Sequence, residues 1–195
     1  MKFAKLAVAS AALLAAISAQ AVVTGTTGSA GGSFLTLSHS GDLGGIAQFS
    51  GDFDVLSASN GSFTKPVGTV GNYVGVEGDA TAKLTFGSGV SYLSFLWGSA
   101  DSYNELWITE SNGKTTKFTA AGLGLSPVNG TGGGQYVEFT DIGSTIKSLK
   151  YANAPKTNSF ETANYSVTPV PEPETYALML AGLGMVGFIA RRRRG

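Results

Sequence analysis

Ala80-Thr-Ala-Lys-Leu-Thr-Phe86 and, after Gly87-Ser-Gly89, Val90-Ser-Tyr-Leu-Ser-Phe-Leu-Trp97 are the stretches on which the fold turns. In the first, Ala80, Ala82, Leu84 and Phe86 alternate with Thr81, Lys83 and Thr85. That period of two lines apolar side chains along one face of a strand and polar ones along the other. The second is apolar on both faces, as a central strand covered on each side would be.

Working outward, Asn104–Glu110 and Thr115–Thr119 flank Ser111-Asn-Gly-Lys114, and Asn112-Gly113 predicts a hairpin with a type I′ turn. Residues 136–141, 146–152 and 160–167 read as three more strands. Residues 34–37 and 46–55 read as two earlier ones, the second interrupted at Gly51 as a bulge requires. Gly75-Val-Glu-Gly78 and the stretch 122–134 read as glycine-rich turn and loop. Eight or nine short strands without a convincing amphipathic helix predict an all-β fold, a single jelly-roll-like β-sandwich over residues 34–168. A Gly/Ser/Thr-rich leader, residues 22–33, precedes it and reads as mobile.

The two ends have a different chemistry. Lys2 and Lys5, the apolar residues 6–17 and the small-x-small element Ala19-Gln-Ala21 predict a signal peptide over residues 1–21, cut after Ala21 by signal peptidase. At the other end Pro171, Glu172 and Pro173 precede an uncharged apolar run, 176–190, and then Arg191, Arg192, Arg193 and Arg194. As a helix that run measures roughly 22 Å, less than a hydrocarbon core of about 30 Å. It reads as a transmembrane helix that spans only with snorkelling arginines and local bilayer thinning. The arginines stay in the cytoplasm by the positive-inside rule, so the bulk of the chain is exported.

Charge and composition exclude several functions. The 195 residues hold 13 basic and 13 acidic side chains, but six of the basic ones lie in the two ends. Residues 22–169 keep seven lysines, no arginine and eleven acids, a net charge of −4. Nucleic acid is a poor partner for such a domain, because phosphate requires clustered cations. The absence of cysteine excludes thiolate catalysis, cysteine metal sites and thiol redox chemistry. His39 is the sole histidine, so a Ser-His-Asp triad would depend on this one loop residue, for which a solvated side chain is the simpler reading. Asp52 and Asp54 share one face of an extended segment, which suits a structural calcium or a glycosidase pair; two solvated surface acids explain the pattern as well. No cofactor beyond such a calcium is expected.

The order Pro171-Glu-Pro173, apolar run and arginine cluster resembles the PEP-CTERM sorting signal of Gram-negative bacteria. The resemblance implies that an exosortase, an integral-membrane cysteine-protease-like transpeptidase, recognises Pro-Glu-Pro, removes the helix and arginines, and passes the chain from transient inner-membrane anchoring to the outer surface or matrix. Exopolysaccharide and biofilm would be its surroundings there.

Trp97-Gly-Ser-Ala-Asp-Ser-Tyr-Asn104, with Leu106 and Ile108 after it, resembles the core segment of the Npun-type exosortase-dependent surface proteins, and Tyr73-Val-Gly-Val-Glu-Gly78 is similar to the same family's upstream glycine turn. Phe160-Glu-Thr-Ala-Asn-Tyr165 resembles a Phe-Glu-x-Asp-Asn closing strand, with Ala163 where aspartate is usual. This family implies no activity, and the chain is expected to be a structural surface protein rather than an enzyme. Two roles stay open for the Trp97 segment. Its polar residues can hold a strand-to-strand corner in shape. Alternatively, Trp97, Asp101, Tyr103, Asn104 and Trp107 form the edge of a lectin-like carbohydrate site, a sugar stacking on an aromatic ring. A polysaccharide hydrolase is a more distant alternative.

Overall fold

The two opening stretches form one strand, Ala82–Gly98, and the rest of the molecule is arranged around it. The computed structural model describes residues 22–125, 133–153, 158–170, 178–183, 185, 186 and 189. In chain order the strands are β1 (Val22–Thr27), β2 (Asp42–Leu43), β3 (Ala47–Gly51), β4 (Asp54–Leu56), β5 (Tyr73–Val76) and β6 (Ala82–Gly98). They continue as β7 (Asn104–Glu110), β8 (Thr115–Thr119), β9 (Gly134–Ile142), β10 (Ile146–Asn153) and β11 (Phe160–Pro169).

All pairings are antiparallel, and β6 belongs to two layers at once. Its first half pairs with β3 and β10, which continues the order β2-β3-β6-β10-β7-β8. Its second half pairs with β11 and β9, giving β4-β5-β11-β6-β9-β1. The change of layer falls at Gly87-Ser-Gly89, where the register against β10 slips between Ser148 and Ile146. A side chain at Gly89 would run into Thr145, and strand glycines of this kind let a sheet fold over. The fold is thus an all-β sandwich.

Alternation along β6 decides what lies between the layers. Ala82, Leu84 and Phe86, then Val90, Leu93, Phe95 and Trp97, are buried in one core with Phe49, Phe139, Tyr151 and Tyr165. Phe95 of β6 meets Phe139 of β9 and Tyr151 of β10, with centroids 5.9 and 6.3 Å apart. Phe49 of β3 reaches Tyr165 of β11 at 5.9 Å, so the aromatic rings tie layer to layer. The Tyr151 and Tyr165 hydroxyls share a hydrogen bond of 3.0 Å, and Thr162 Oγ1 lies 2.5 Å from the second, which satisfies all three polar groups in the apolar interior.

Several sequence expectations are corrected. The leader is not free at its start, because β1 pairs with β9 over its full length, Val22 against Ile142 through Thr27 against Val137. Its flexible composition is overridden by a vacant sheet edge. Residues 34–37 form no strand and contribute only the bridge between Leu37 and Leu43. Residues 46–55 split into β3 and β4, one in each layer. They part at Gly51 (φ 90°), where a Cβ would sit 2.6 Å from the Thr81 carbonyl oxygen. Tyr73–Val76, read as part of a glycine turn, is the fully buried strand β5.

The β7–β8 hairpin is present with a different turn. Among described non-glycine residues only Ser99 and Asn164 have positive φ, so Asn112 does not take the conformation a type I′ turn needs. Gly113 alone is left-handed (φ 89°), its N–H donates to the Glu110 carbonyl, and the Asn112 side chain accepts from Lys114 N–H. These bonds suit a type I turn closed by a left-handed glycine.

The signal peptide, residues 1–21, and the middle of the glycine-rich loop, 126–132, lie outside the described residues.

Candidate functional site

The Trp97 segment forms a corner where β6 ends and β7 begins, and one amide holds it. Asn104 is fully buried. Its Oδ1 accepts from Asp101 N–H at 2.9 Å and Trp97 Nε1 at 3.3 Å, while its Nδ2 donates to Asn153 Oδ1 at 2.8 Å and the Ser159 carbonyl at 3.5 Å. All four hydrogen-bonding positions of the amide are occupied. They join the corner to the end of β10 and the start of β11. Asn153 extends the network to the carbonyls of Glu77 and Asn158.

Trp97 itself stacks on Phe160 with centroids 4.5 Å apart and has no exposed surface. Asp101 is buried and accepts from the Tyr103 hydroxyl at 2.6 Å. Burial raises the Asp101 carboxyl above its ordinary range, partly opposed by that bond. The Tyr103 hydroxyl is pushed up to about 12, first by burial and then by its bond to the carboxylate. This corner has the shape and the satisfied polar groups of a structural lock.

The sequence therefore proposed a ligand edge that does not assemble. Trp97 and Asn104 point into the core, Asp101 is covered, and Trp107 points out of β7 on the other side of its sheet. Parity explains the split. Asn104, Leu106, Ile108 and Glu110 are buried, whereas Glu105, Trp107 and Thr109 between them are half-exposed.

Each layer also carries a row of side chains across its outer face. In the second layer the register aligns Leu56, Tyr73, Ala163, Leu96 and Tyr136. Phe63 caps them, forming a second small core. The covering segment is pinned twice. Glu161 accepts from Thr64 N–H at 3.2 Å and from the Ser159 hydroxyl. Asn164, in the left-handed region at φ 53°, accepts from Val70 N–H and donates to the Gly68 carbonyl, both at 2.8 Å. The other Glu161 oxygen is buried without a partner among the described residues, and burial, with the Asp101 charge adding, raises its carboxyl.

In the first layer the register aligns Lys117, Trp107, Lys150, Lys83 and Ser50 across five of its six strands, and among the described residues no segment is laid over them. Lys117, Lys150, Lys83 and Ser50 are exposed. Lys117 Nζ lies 5.4 Å from the centroid of the Trp107 ring and 2.8 Å from Glu105 Oε1, and Trp107 Nε1 donates to Glu105 Oε2 at 3.2 Å. The Lys117 bond is the main cause that lowers the Glu105 carboxyl, with the Lys150 charge a smaller one. Sequence alternation placed Lys83 outward. It could not align that residue with Lys150 and Trp107, because register between distant strands is not written in any one of them.

The remaining candidates are dispersed. His39, Asp52 and Asp54 are all exposed, and the last two lie where the chain crosses between layers. Among the described residues no group of three or more His, Cys, Asp or Glu side chains is placed to hold a metal ion. Glu77 and Asp79 line an open cleft of about 490 Å³ with Ser62, Asn158 and Ser159, beside the corner.

The last strand ends at Pro169, and Val170 N–H closes the fold on the Gly89 carbonyl. Residues 169–194 match the model of the PEP-CTERM protein-sorting motif. The chain carries a PEP-CTERM sorting signal. That signal implies processing by an exosortase, export and passage through a membrane. Of its residues, 178–183, 185, 186 and 189 are described as helical, and Leu178, Met179, Leu180, Leu183, Met185, Val186 and Ile189 are exposed. No helix among the described residues is long and apolar enough to cross a membrane, short of the span expected over 176–190. Pro171, Glu172, Pro173 and Arg191 to Arg194 lie outside the described residues.

No curated protein matches the chain. Among solved structures, a peptidoglycan O-acetylesterase aligns with a TM-score of 0.38 and 15% identity, over 70% of this chain and 34% of that one. The chain therefore spans about a third of that protein's length. TmCBM61, solved with beta-1,4-galactotriose, aligns with a TM-score of 0.41 and 13% identity, over 64% of this chain and 88% of the other.

Proposed function

We propose that this is a non-catalytic extracellular sandwich, freed from its leader by signal peptidase, delivered by an exosortase to the outer cell surface or matrix, and associated there with exopolysaccharide in a biofilm. The observation that carries this reading is the position of the sorting signal. β11 is complete at Pro169, two residues before Pro171. Cutting at Pro-Glu-Pro therefore removes none of the described strands and none of the described core side chains. The tail is disposable and the sandwich is the product.

The polar residues of the Trp97 segment support a structural role in that product, since their hydrogen bonds are spent on one another. By the same resemblance the domain belongs with the Npun-type surface proteins. The test of delivery is deletion of Arg191 to Arg194, or replacement of Pro171-Glu-Pro173 by alanines, in a cell that makes the exosortase. Unprocessed chain should then accumulate in the inner membrane. Unchanged surface display overturns the reading, and polysaccharide turnover lost in Asp52→Asn or Asp54→Asn overturns its non-catalytic part.

A second reading, a carbohydrate-binding module, is favoured by the half-exposed Trp107 on an uncovered sheet face.

A further inference from the structure

We infer that the open face of the first layer is a binding site for an acidic polysaccharide, with Lys83 and Lys150 as its principal cations and Lys117 and Trp107 at its far end. The inference rests on the extracellular reading above and gives it a ligand class and a place. Lys83 and Lys150 are directly opposite one another on β6 and β10. Like charges in that position destabilise a sheet. Neither forms an ion pair among the described residues, whereas Lys117 has Glu105. The domain is net acidic, with seven lysines against eleven acids, yet three of the seven stand in this one line. Such segregation of charge supplies a local positive potential that an anion can use.

The geometry selects an extended polymer over a small anion. The line runs at right angles to the strands, and strands lie about 4.8 Å apart, so Lys83 to Lys117 covers roughly 14 Å. Lys83, Lys150 and Lys117 are exposed along the sheet face, which suits a chain lying across it with carboxylates meeting successive ammonium groups. Trp107 contributes an apolar edge beside Lys150, against which the carbon-bound face of a sugar ring can pack. Nucleic acid is the less fitting polyanion, because the sandwich has no arginine and a net negative charge, and a single half-buried aromatic gives bases little to stack on.

The test uses the full-length chain in mild detergent, titrated with polygalacturonate, neutral dextran and oligothymidine. Saturable binding of polygalacturonate is expected, with none of dextran, and it should weaken more than tenfold on raising salt towards about 1 M, where the screening length is about 3 Å. Lys83→Glu with Lys150→Glu should lose at least tenfold, and Lys65→Glu, away from this face, should lose nothing. If the charge-reversed pair melts early, Lys83→Gln with Lys150→Gln gives the same readout, with a loss of threefold or more. No saturable polygalacturonate binding, an equal loss with Lys65→Glu, no loss in either lysine pair, or tighter binding of oligothymidine overturns the site. Surface display is scored separately in cells. A displayed wild-type chain that does not bind removes the site and leaves delivery standing; a chain that binds in solution but is not displayed does the reverse.

Discussion

Leu56, Tyr73, Ala163, Leu96 and Tyr136 cross the outer face of one layer and are roofed by Phe63, while Lys117, Trp107, Lys150, Lys83 and Ser50 cross the outer face of the other and meet solvent. Both rows start from the same strand. Leu96 and Lys83 are outward positions on the two halves of β6. What separates them is the long connection between β4 and β5, which returns over the second layer and is held by the Glu161 and Asn164 side chains. A sandwich with one face covered this way has three layers of side chains on that side and a single working surface on the other. The row left uncovered by the described residues is the one free to meet a ligand.

The strongest way to break the contrast is to put into the roofed row what the open row accepts. Leu96→Lys would bury an ammonium under Phe63 with no partner, and is expected to cost about 4 kcal/mol or more, a large share of the roughly 5–15 kcal/mol by which an ordinary domain is stable. The mirror change, Lys83→Leu, should lie within about 0.5 kcal/mol of wild type. Urea denaturation of the two variants measures both. Similar costs would mean that the two faces are equally covered.

Next in size is the corner beneath the roofed face. Asn104→Ala leaves Trp97 Nε1 and Asp101 N–H without an acceptor and Asn153 Oδ1 without its donor. Each of these three buried orphans costs about 1–3 kcal/mol, so a loss of about 3 kcal/mol or more is expected from the same denaturation experiment. A loss below about 1 kcal/mol would mean that water replaces the amide and that the corner is open to solvent, as a ligand edge would be.

How much of this was legible in the sequence varies with the distance over which the information acts. Alternation in residues 80–86 and the two-sided apolar run 90–97 located β6 and foretold that its second half is covered on both sides, which Leu96 and Phe63 bear out. The Asn-Gly pair located the hairpin, although the turn type followed from how a single glycine meets the bond from Gly113 N–H to the Glu110 carbonyl. Val22–Thr27 was misread because its threonines and glycine lack a hydrophobic pattern; pairing with β9 decides its structure, and that partner lies more than a hundred residues away. The same limit hid the lysine row. Each lysine was visible in its strand, and their alignment depends on three registers and on the bulge between Ser148 and Ile146. The Trp97 segment was singled out correctly as unusual, but composition could not tell a lock from a ligand edge, since both use asparagine, aspartate and aromatic rings.

The pins of the covering segment offer a subtler test through pH. Glu161 has its carboxyl raised by burial and by the Asp101 charge. A folded carboxyl that holds its proton more tightly than the unfolded one, whose pKa is about 4.3, contributes stability that is complete below the unfolded value and is lost as pH rises through the folded one. Glu161→Gln removes that dependence. Its melting temperature, compared with wild type, should therefore become more favourable between pH 4 and pH 8. A difference that stays constant over the range, or falls, would show that the ionised Glu161 is well compensated and that the roof is held by its charge.

The smallest expected effect concerns the open row itself, and it is the one that defines the row. Trp107 is half-buried, and its contacts with Lys117 and Glu105 are made at the surface, the Lys117 side chain being 42% exposed and that of Glu105 20%. Exposed cation–π pairs contribute about 0.5–1 kcal/mol and exposed ion pairs about 0–1 kcal/mol. Trp107→Ala should accordingly cost about 1 kcal/mol. A double-mutant cycle with Lys117→Ala should give a coupling below about 1 kcal/mol that shrinks as salt is raised. Trp97→Ala, which removes a ring stacked on Phe160 with no exposed surface, sets the scale for comparison at about 3–5 kcal/mol. If Trp107→Ala cost as much as Trp97→Ala, the ring would be a core residue of a covered sheet. The lysines beside it would then line a buried seam, and the molecule would have no open face to offer a polysaccharide.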